Sequence, residues 1–165
     1  MKKTFITGGL ALLIGLGLGL VILRVVGFEP RDRSPGLWIK GEVVTTPVTD
    51  WAFTDQFETV KVETRTWYLI PHSVTTFCAT YDGHLYLTST YVQGGQYPHG
   101  RYWNRNVVRD PRVRLKIGDQ IFESTLMLVT DDSEKDAVLQ RKMEKYPDWK
   151  NPGADKVHTL RVLPR

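Results

Sequence analysis

Residues 4–23 form an unbroken run of 20 residues without a charge, with Lys2 and Lys3 before it and Arg24 after it. As a helix rising 1.5 Å per residue, a run of this length matches the ~30 Å hydrocarbon core of a bilayer. It constrains the chain more than any other feature, because so continuous an apolar surface has to be kept from water. Two readings compete. A secretory signal peptide also has a lysine-bearing start and an apolar core. The core here is long for that role, however; Val25-Val26-Gly27 is a poor cleavage site, and no cysteine stands where a lipoprotein anchor needs one. The expectation is an uncleaved single-pass anchor, residues 1–27, meeting the lipid bilayer through residues 4–23. Arginines 24, 31 and 33 balance Lys2 and Lys3 across the run. The positive-inside rule therefore separates the two orientations only weakly. The three-residue tail favours a signal anchor, with the soluble domain outside the cytoplasm. Gly15 and Gly19 form a small-xxx-small pair on which two anchors can pack, although glycine is common in membrane helices generally.

Residues 28–36 hold two prolines, a glycine and mixed charges, the mark of a juxtamembrane linker. The rest, 37–165, has the length of one domain. A formal net charge of +4 falls to +2 once Lys2 and Lys3 are set aside. With no basic motif, nucleic acid is not expected as a partner. The single cysteine, Cys78, forbids an intramolecular disulfide, and His72, His84, His99 and His158 are not spaced as metal ligands, so no metal is expected.

Residues 37–44 read as a strand, and 58–65 alternate polar with β-branched side chains at period two. Residues 73–81 and 84–90, rich in Thr, Val, Leu and aromatics, flank Asp82-Gly83, a pair suited to a two-residue hairpin turn. A second hairpin runs 112–117, Gly118-Asp119, 120–129. Residues 91–100 read as a loop and 101–110 as a short helix ended by Pro111. A further helix begins at Asp132 or Ser133 as its cap, carries Ala137, Val138 and Met143 as its apolar stripe, and stops before Pro147. Residues 157–163 close the chain as a strand. About six strands joined by tight turns imply a mainly β, α+β domain: an antiparallel barrel with two short helices, preceded by one N-terminal transmembrane helix.

The stretch Trp103-Asn104-Arg105-Asn106-Val107-Val108-Arg109-Asp110-Pro111-Arg112-Val113, with Gly118 and Phe122, resembles a segment of the split β-barrel flavin-binding superfamily. That superfamily comprises the pyridoxamine-phosphate-oxidase-like proteins and the deazaflavin-dependent nitroreductases. Asp82-Gly83-His84-Leu85-Tyr86-Leu87 is similar to their hairpin, and Thr159-Leu160-Arg161-Val162-Leu163-Pro164 to their last strand; the likeness spans residues 53–164. It implies a split barrel, FMN or a deazaflavin as cofactor, and a homodimer with the cofactor at its seam. The basic residue that holds the cofactor phosphate would be Arg101, with Arg105. Arg109 stands where these families have a small residue, a departure that leaves open a barrel that binds no cofactor.

Such a cofactor carries its own hydride chemistry, so the chain need supply only a phosphate grip, a ring face and room for an acceptor. The hydroxyls of Thr88, Ser89 and Thr90 suit the grip. Arg101, Arg105 and Arg109 fall at i, i+4 and i+8, one stripe of a helix that faces either a cofactor tail or solvent. Trp103 is a ring platform or a packing anchor. His99, just before Arg101, is the histidine to consider for cofactor contact or proton transfer. Trp67 and Tyr68 are expected to pack at a barrel rim, and Cys78 to be buried and inert. No residue is assigned as catalytic. Two functions remain: an oxidoreductase passing two electrons to a small organic acceptor, or a non-enzymatic barrel binding a small ligand or partner at the membrane surface.

Overall fold

The structure is a computed structural model; it describes the backbone of residues 2–90 and 96–165, and the side chains of 9–10, 12–90 and 96–165. The expected loop over 91–100 thus lies in part, at 91–95, outside the described residues. Helix α1 (Lys2–Val26) is followed by β1 (Glu42–Val44), β2 (Thr59–Thr64), β3 (His72–Tyr81) and β4 (His84–Thr90). Then come α2 (Tyr102–Arg109), β5 (Arg112–Ile117), β6 (Gln120–Leu128), α3 (Asp132–Lys145) and β7 (Val157–Pro164). The sheet order is β1-β6-β5-β2-β3-β4-β7, and a further β6–β7 pairing closes β2 to β7 into a six-stranded antiparallel barrel.

Side-chain alternation builds the core. On β5, Val113, Leu115 and Ile117 are buried, while Arg112 is exposed and Arg114 and Lys116 half-buried. Val60 and Val62 of β2, Leu85 and Leu87 of β4, and Leu160 and Val162 of β7 join them in one cluster. Trp51, Phe53 and Phe122 add an aromatic group with ring centroids 5.3–5.9 Å apart. Both expected hairpins are present. At the first, Asp82 (φ 50) and Gly83 (φ 71) take the positive backbone angles that match a tight turn to the strand twist. At the second, Gly118 (φ 59) also leaves room for the Phe57 ring, which a β-carbon would meet at 3.1 Å.

One strand departs from the expectation over 37–44: only Glu42–Val44 is in a strand, and it pairs parallel to β6. Just before it, residues 39–41 bond outside the ladder and run close to the β5–β6 turn. At Gly41 a β-carbon would sit 2.3 Å from the carbonyl oxygen of Asp119, and Ile39 gives its N–H to the Glu63 carboxylate at 2.8 Å.

Residues 28–36 are tied down at several points. Phe28 N–H donates to Trp38 O (3.0 Å), Leu37 N–H to Phe28 O (2.7 Å), and Gly36 exchanges backbone hydrogen bonds with Ser73 of β3. Glu29 accepts from Lys61 (2.5 Å), Lys116 (2.7 Å) and the Lys40 N–H (2.9 Å). Burial pushes its carboxyl up, but these donors outweigh burial and hold it down at about 2. The barrel is therefore clamped directly onto the end of α1. Along α1 the aliphatic side chains from Leu10 to Val26 are mostly exposed on all sides. Among the described residues, no helix is long and apolar enough to cross a membrane; the side chains of 2–8 and 11, within α1, lie outside that set.

Helix α3 is capped by Asp131, one residue before the expected pair: its carboxylate accepts from Glu134 N–H at 2.8 Å. Its buried stripe is also shifted. Val138, Leu139 and Lys142 point inward, whereas Met143 is 39% exposed.

Candidate functional site

Consecutive residues on a strand face opposite ways, and at the end of β4 this divides the expected hydroxyl grip in two. Ser89, paired with His158 of β7, turns toward α2, where its Oγ accepts from Asn104 Nδ2 at 3.3 Å. The same amide nitrogen lies 3.1 Å from His158 Nδ1, and the Tyr97 ring meets His158 edge-on at 5.2 Å. Asn104 is wholly buried, and its Oδ1 has no donor among the described residues. Burial also pushes the Tyr97 hydroxyl up to about 12. A second asparagine, Asn106, donates to Thr64 Oγ1 at 3.0 Å. These two amides fasten α2 to the barrel, and its apolar Trp103 and Val107 enter the core.

The opposite side of α2 is exposed. Arg101, its N-cap, donates from Nε to the Thr90 carbonyl at 3.2 Å, and its side chain does not cap the first-turn amides. Arg105 and His99 are exposed as well, His99 in a turn closed by its N–H on Gln96 O at 2.8 Å. Of the seven residues singled out from sequence, the structure therefore brings Thr90 and Arg101 together at the β4 end, turns Ser89 inward to Asn104, and leaves His99 and Arg105 exposed on either side of Arg101 in sequence. Thr88 and Trp103 stand elsewhere. Trp103 is 5% exposed and packs in the core cluster, with little ring surface left for stacking.

Thr88 faces α3, where its Oγ1 is 2.7 Å from Lys142 Nζ. That ammonium lies 3.9 Å from the centre of the Trp149 ring and 5.4 Å from that of Phe77, and no ion pair to a carboxylate is present among the described residues. Burial pushes Lys142 down to about 8. Lys142 was not singled out from the sequence, where a lysine on a helix reads as solvated. Cys78 is buried as expected, and burial pushes its thiol up.

At the other end of α2, a cleft of about 850 Å³ opens between the barrel and α1. Arg24 of α1, Arg65, Trp67 and Leu69 of the β2–β3 connection, and Arg109 and Arg112 beside α2 line it. Its two carboxylates are engaged: Asp110 takes both Arg112 Nε and Nη2 at 2.7 Å, and Glu63 takes Arg114 at 3.3 Å. The Arg112 hydrogen bond holds Asp110 down at about 2. Trp67 and Tyr68, expected at a rim, are 76% and 43% exposed.

Comparison with known proteins follows the same outline. A family model described as F420H(2)-dependent quinone reductase matches residues 73–164. No curated protein matches the chain. Among solved structures, a Listeria innocua protein described as a pyridoxamine 5'-phosphate oxidase is 19% identical, over 69% of this chain and 89% of that one, with a TM-score of 0.51. A Bacteroides thetaiotaomicron protein described as a 5-nitroimidazole antibiotic resistance protein is 15% identical over 81% and 89%, TM-score 0.53. A conserved hypothetical protein from Mycobacterium tuberculosis is 19% identical over 75% and 86%, TM-score 0.52. At these identities the likeness is one of fold.

Proposed function

The chain belongs to the F420H(2)-dependent quinone reductase family, and from that premise we propose that it is a membrane-anchored reductase that binds a reduced deazaflavin rather than FMN. The observation that carries the proposal is the cationic edge at the β4 end. Arg101 is seated on the Thr90 carbonyl, Arg105 is exposed about one turn further along α2, and the Arg101 side chain does not cap the first amides of α2. These donors fit an anionic cofactor tail, since guanidinium groups and open helix amides both favour oxyanions. When bound, a reduced deazaflavin supplies a hydride to the acceptor. The chain's own part is to hold the tail with Arg101, Arg105 and the amides of α2, with Thr90 and His99 assigned to the same edge and the buried Ser89 hydroxyl held by Asn104 behind it. Asn104 and Trp103 keep α2 against the barrel from within, and Thr88 does not take part in the grip. The family description suggests a quinone as the organic acceptor.

Anchoring rests on α1. Its backbone is helical over Lys2–Val26, about 37 Å at 1.5 Å per residue, and residues 4–23 carry no charge. The reading extends to a barrel outside the cytoplasm, with Lys2 and Lys3 on the inner side of the bilayer; an inactive alkaline phosphatase fused to the C-terminus would refute it. The chain is further proposed to form a homodimer, and a monomer mass in detergent by light scattering would overturn that.

The direct test is titration of the purified full chain with reduced deazaflavin and with FMN, followed by fluorescence quenching. Micromolar binding of the deazaflavin and weaker binding of FMN are expected. Binding of neither would leave the barrel as a module for another small ligand.

A further inference from the structure

We propose that the β2–β3 connection, residues 65–71, together with the arginines of the cleft beneath it, docks the barrel on the surface of an anionic bilayer. This rests on the reading of α1 as the anchor. Trp67 and Leu69 are 76% and 92% exposed at the tip, with Tyr68 edge-on to Trp67 at 5.4 Å. Water gives no reason to display these side chains, and the backbone is strained to do so: Leu69 has φ 67, in the left-handed region that aliphatic residues seldom occupy. The turn is nonetheless a built one, closed by Thr66 Oγ1 donating to Ile70 O and by Leu69 N–H donating to Thr66 O at 3.4 Å.

Its position points to the occupant. Trp67 and Leu69 share their cleft with Arg24, which lies in the last turn of α1. A helix spanning the bilayer brings that turn to the headgroup layer, where tryptophan and tyrosine rings partition and arginine meets phosphate. The charge matches anionic lipid. Arg24 and Arg109 make no ion pair to a carboxylate among the described residues, while the two carboxylates of the cleft are each engaged by arginine. The Glu29 clamp then has a role. By fixing the barrel to the end of α1, it holds this face toward the membrane and not the Asp82-Gly83 turn at the far end of β3.

The test uses the full chain in a Cys78→Ala background, reconstituted into vesicles of phosphatidylglycerol and phosphatidylcholine. An environment-sensitive fluorophore is attached through Leu69→Cys or, at the opposite end of β3, through His84→Cys. Vesicle flotation reports anchoring, and quenching by nitroxide-labelled lipid reports contact. The expected result is flotation of both proteins, with quenching at 69 roughly threefold or more that at 84, and weaker when phosphatidylglycerol is omitted. Flotation with equal quenching at both sites overturns the docking surface and leaves the anchor standing. Failure to float overturns both. A probe at 69 already shielded in detergent and unchanged in vesicles would assign the face to a second copy, and also overturns the proposal.

Discussion

Helix α2 is eight residues long, and its two ends are opposite in character. Toward its N-terminus, Asn104 is buried against Ser89 and His158, so the helix start is held by short polar contacts inside the barrel wall. Toward its C-terminus, Arg109 reaches, among the described residues, a backbone carbonyl, that of Arg65, in an open cleft of cations and exposed rings. The first arrangement is satisfied largely from within and positions what lies above it. The second is unfinished and requires something from outside. The contrast shows how a single short helix can carry a preorganised edge for a small ligand and a surface for a much larger one.

The strongest way to break this comparison is to cut the buried end. Asn104→Leu leaves the Ser89 hydroxyl and the His158 ring without their amide and should cost about 2–4 kcal/mol, on the order of 10 °C in Tm. Arg109→Ala should cost under about 1 kcal/mol, since its side chain is exposed. Thermal melts of the two variants decide it; equal losses would mean that the cleft end is as structural as the other.

The other face of β4 offers a test by pH. Burial lowers Lys142 from 10.5 to about 8. Between those values the unfolded chain holds a proton that the folded chain has released, so stability is lowest below pH 8 and rises as the pH climbs through the window. The rise is at most about 3 kcal/mol, discounted for residual solvent. Tyr86 and Tyr97, both raised to about 12 by burial, reverse the trend above pH 10, because there the unfolded chain loses its phenol protons first. Chemical denaturation from pH 7 to 10 should show the rise, and Lys142→Met should flatten it. A slope unchanged in the variant would place its origin in another group.

A third contrast separates ligand from scaffold. Arg101→Ala should weaken deazaflavin binding about tenfold, the worth of one charge-assisted contact, with little change in Tm. Arg109→Ala, at the far end of the same stripe, should leave that affinity unchanged. Equal losses would move the cofactor tail along the whole helix.

How much of this was legible follows from which forces act locally. Both hairpins and the span of α2 could be read because turn residues and alternation report on neighbours in sequence. The barrel's closure by β6 and β7 was implied by strand count and by the family resemblance. Lys142 was not legible, since an inward lysine on a helix looks like any solvated one until Trp149 and Phe77 fold around it. Asn104 stood in the motif, but its role depends on His158, 54 residues away. The strand expected over 37–44 is present only as β1, and its parallel pairing with β6 was not legible because it depends on the distant turn at Asp119, close to Gly41. Trp67 was read by the general rule that aromatic side chains pack. The exception at residue 67 shows only in the exposure of the folded turn.

That exception supplies the smallest and sharpest contrast. Leu69 has an unfavourable backbone angle, and its side chain buries almost nothing. Glycine at this position relieves the left-handed strain but gives up some entropy in the unfolded chain. The balance should make Leu69→Gly neutral to about 1 kcal/mol more stable, a Tm shift of at most a few degrees upward. A fall of comparable size would mean that the leucine packs on something within the chain, and the argument for an external partner at this turn would fail. A rise or no change means that folding does not need leucine there. Its apolar surface is then accounted for only by what it touches outside the barrel.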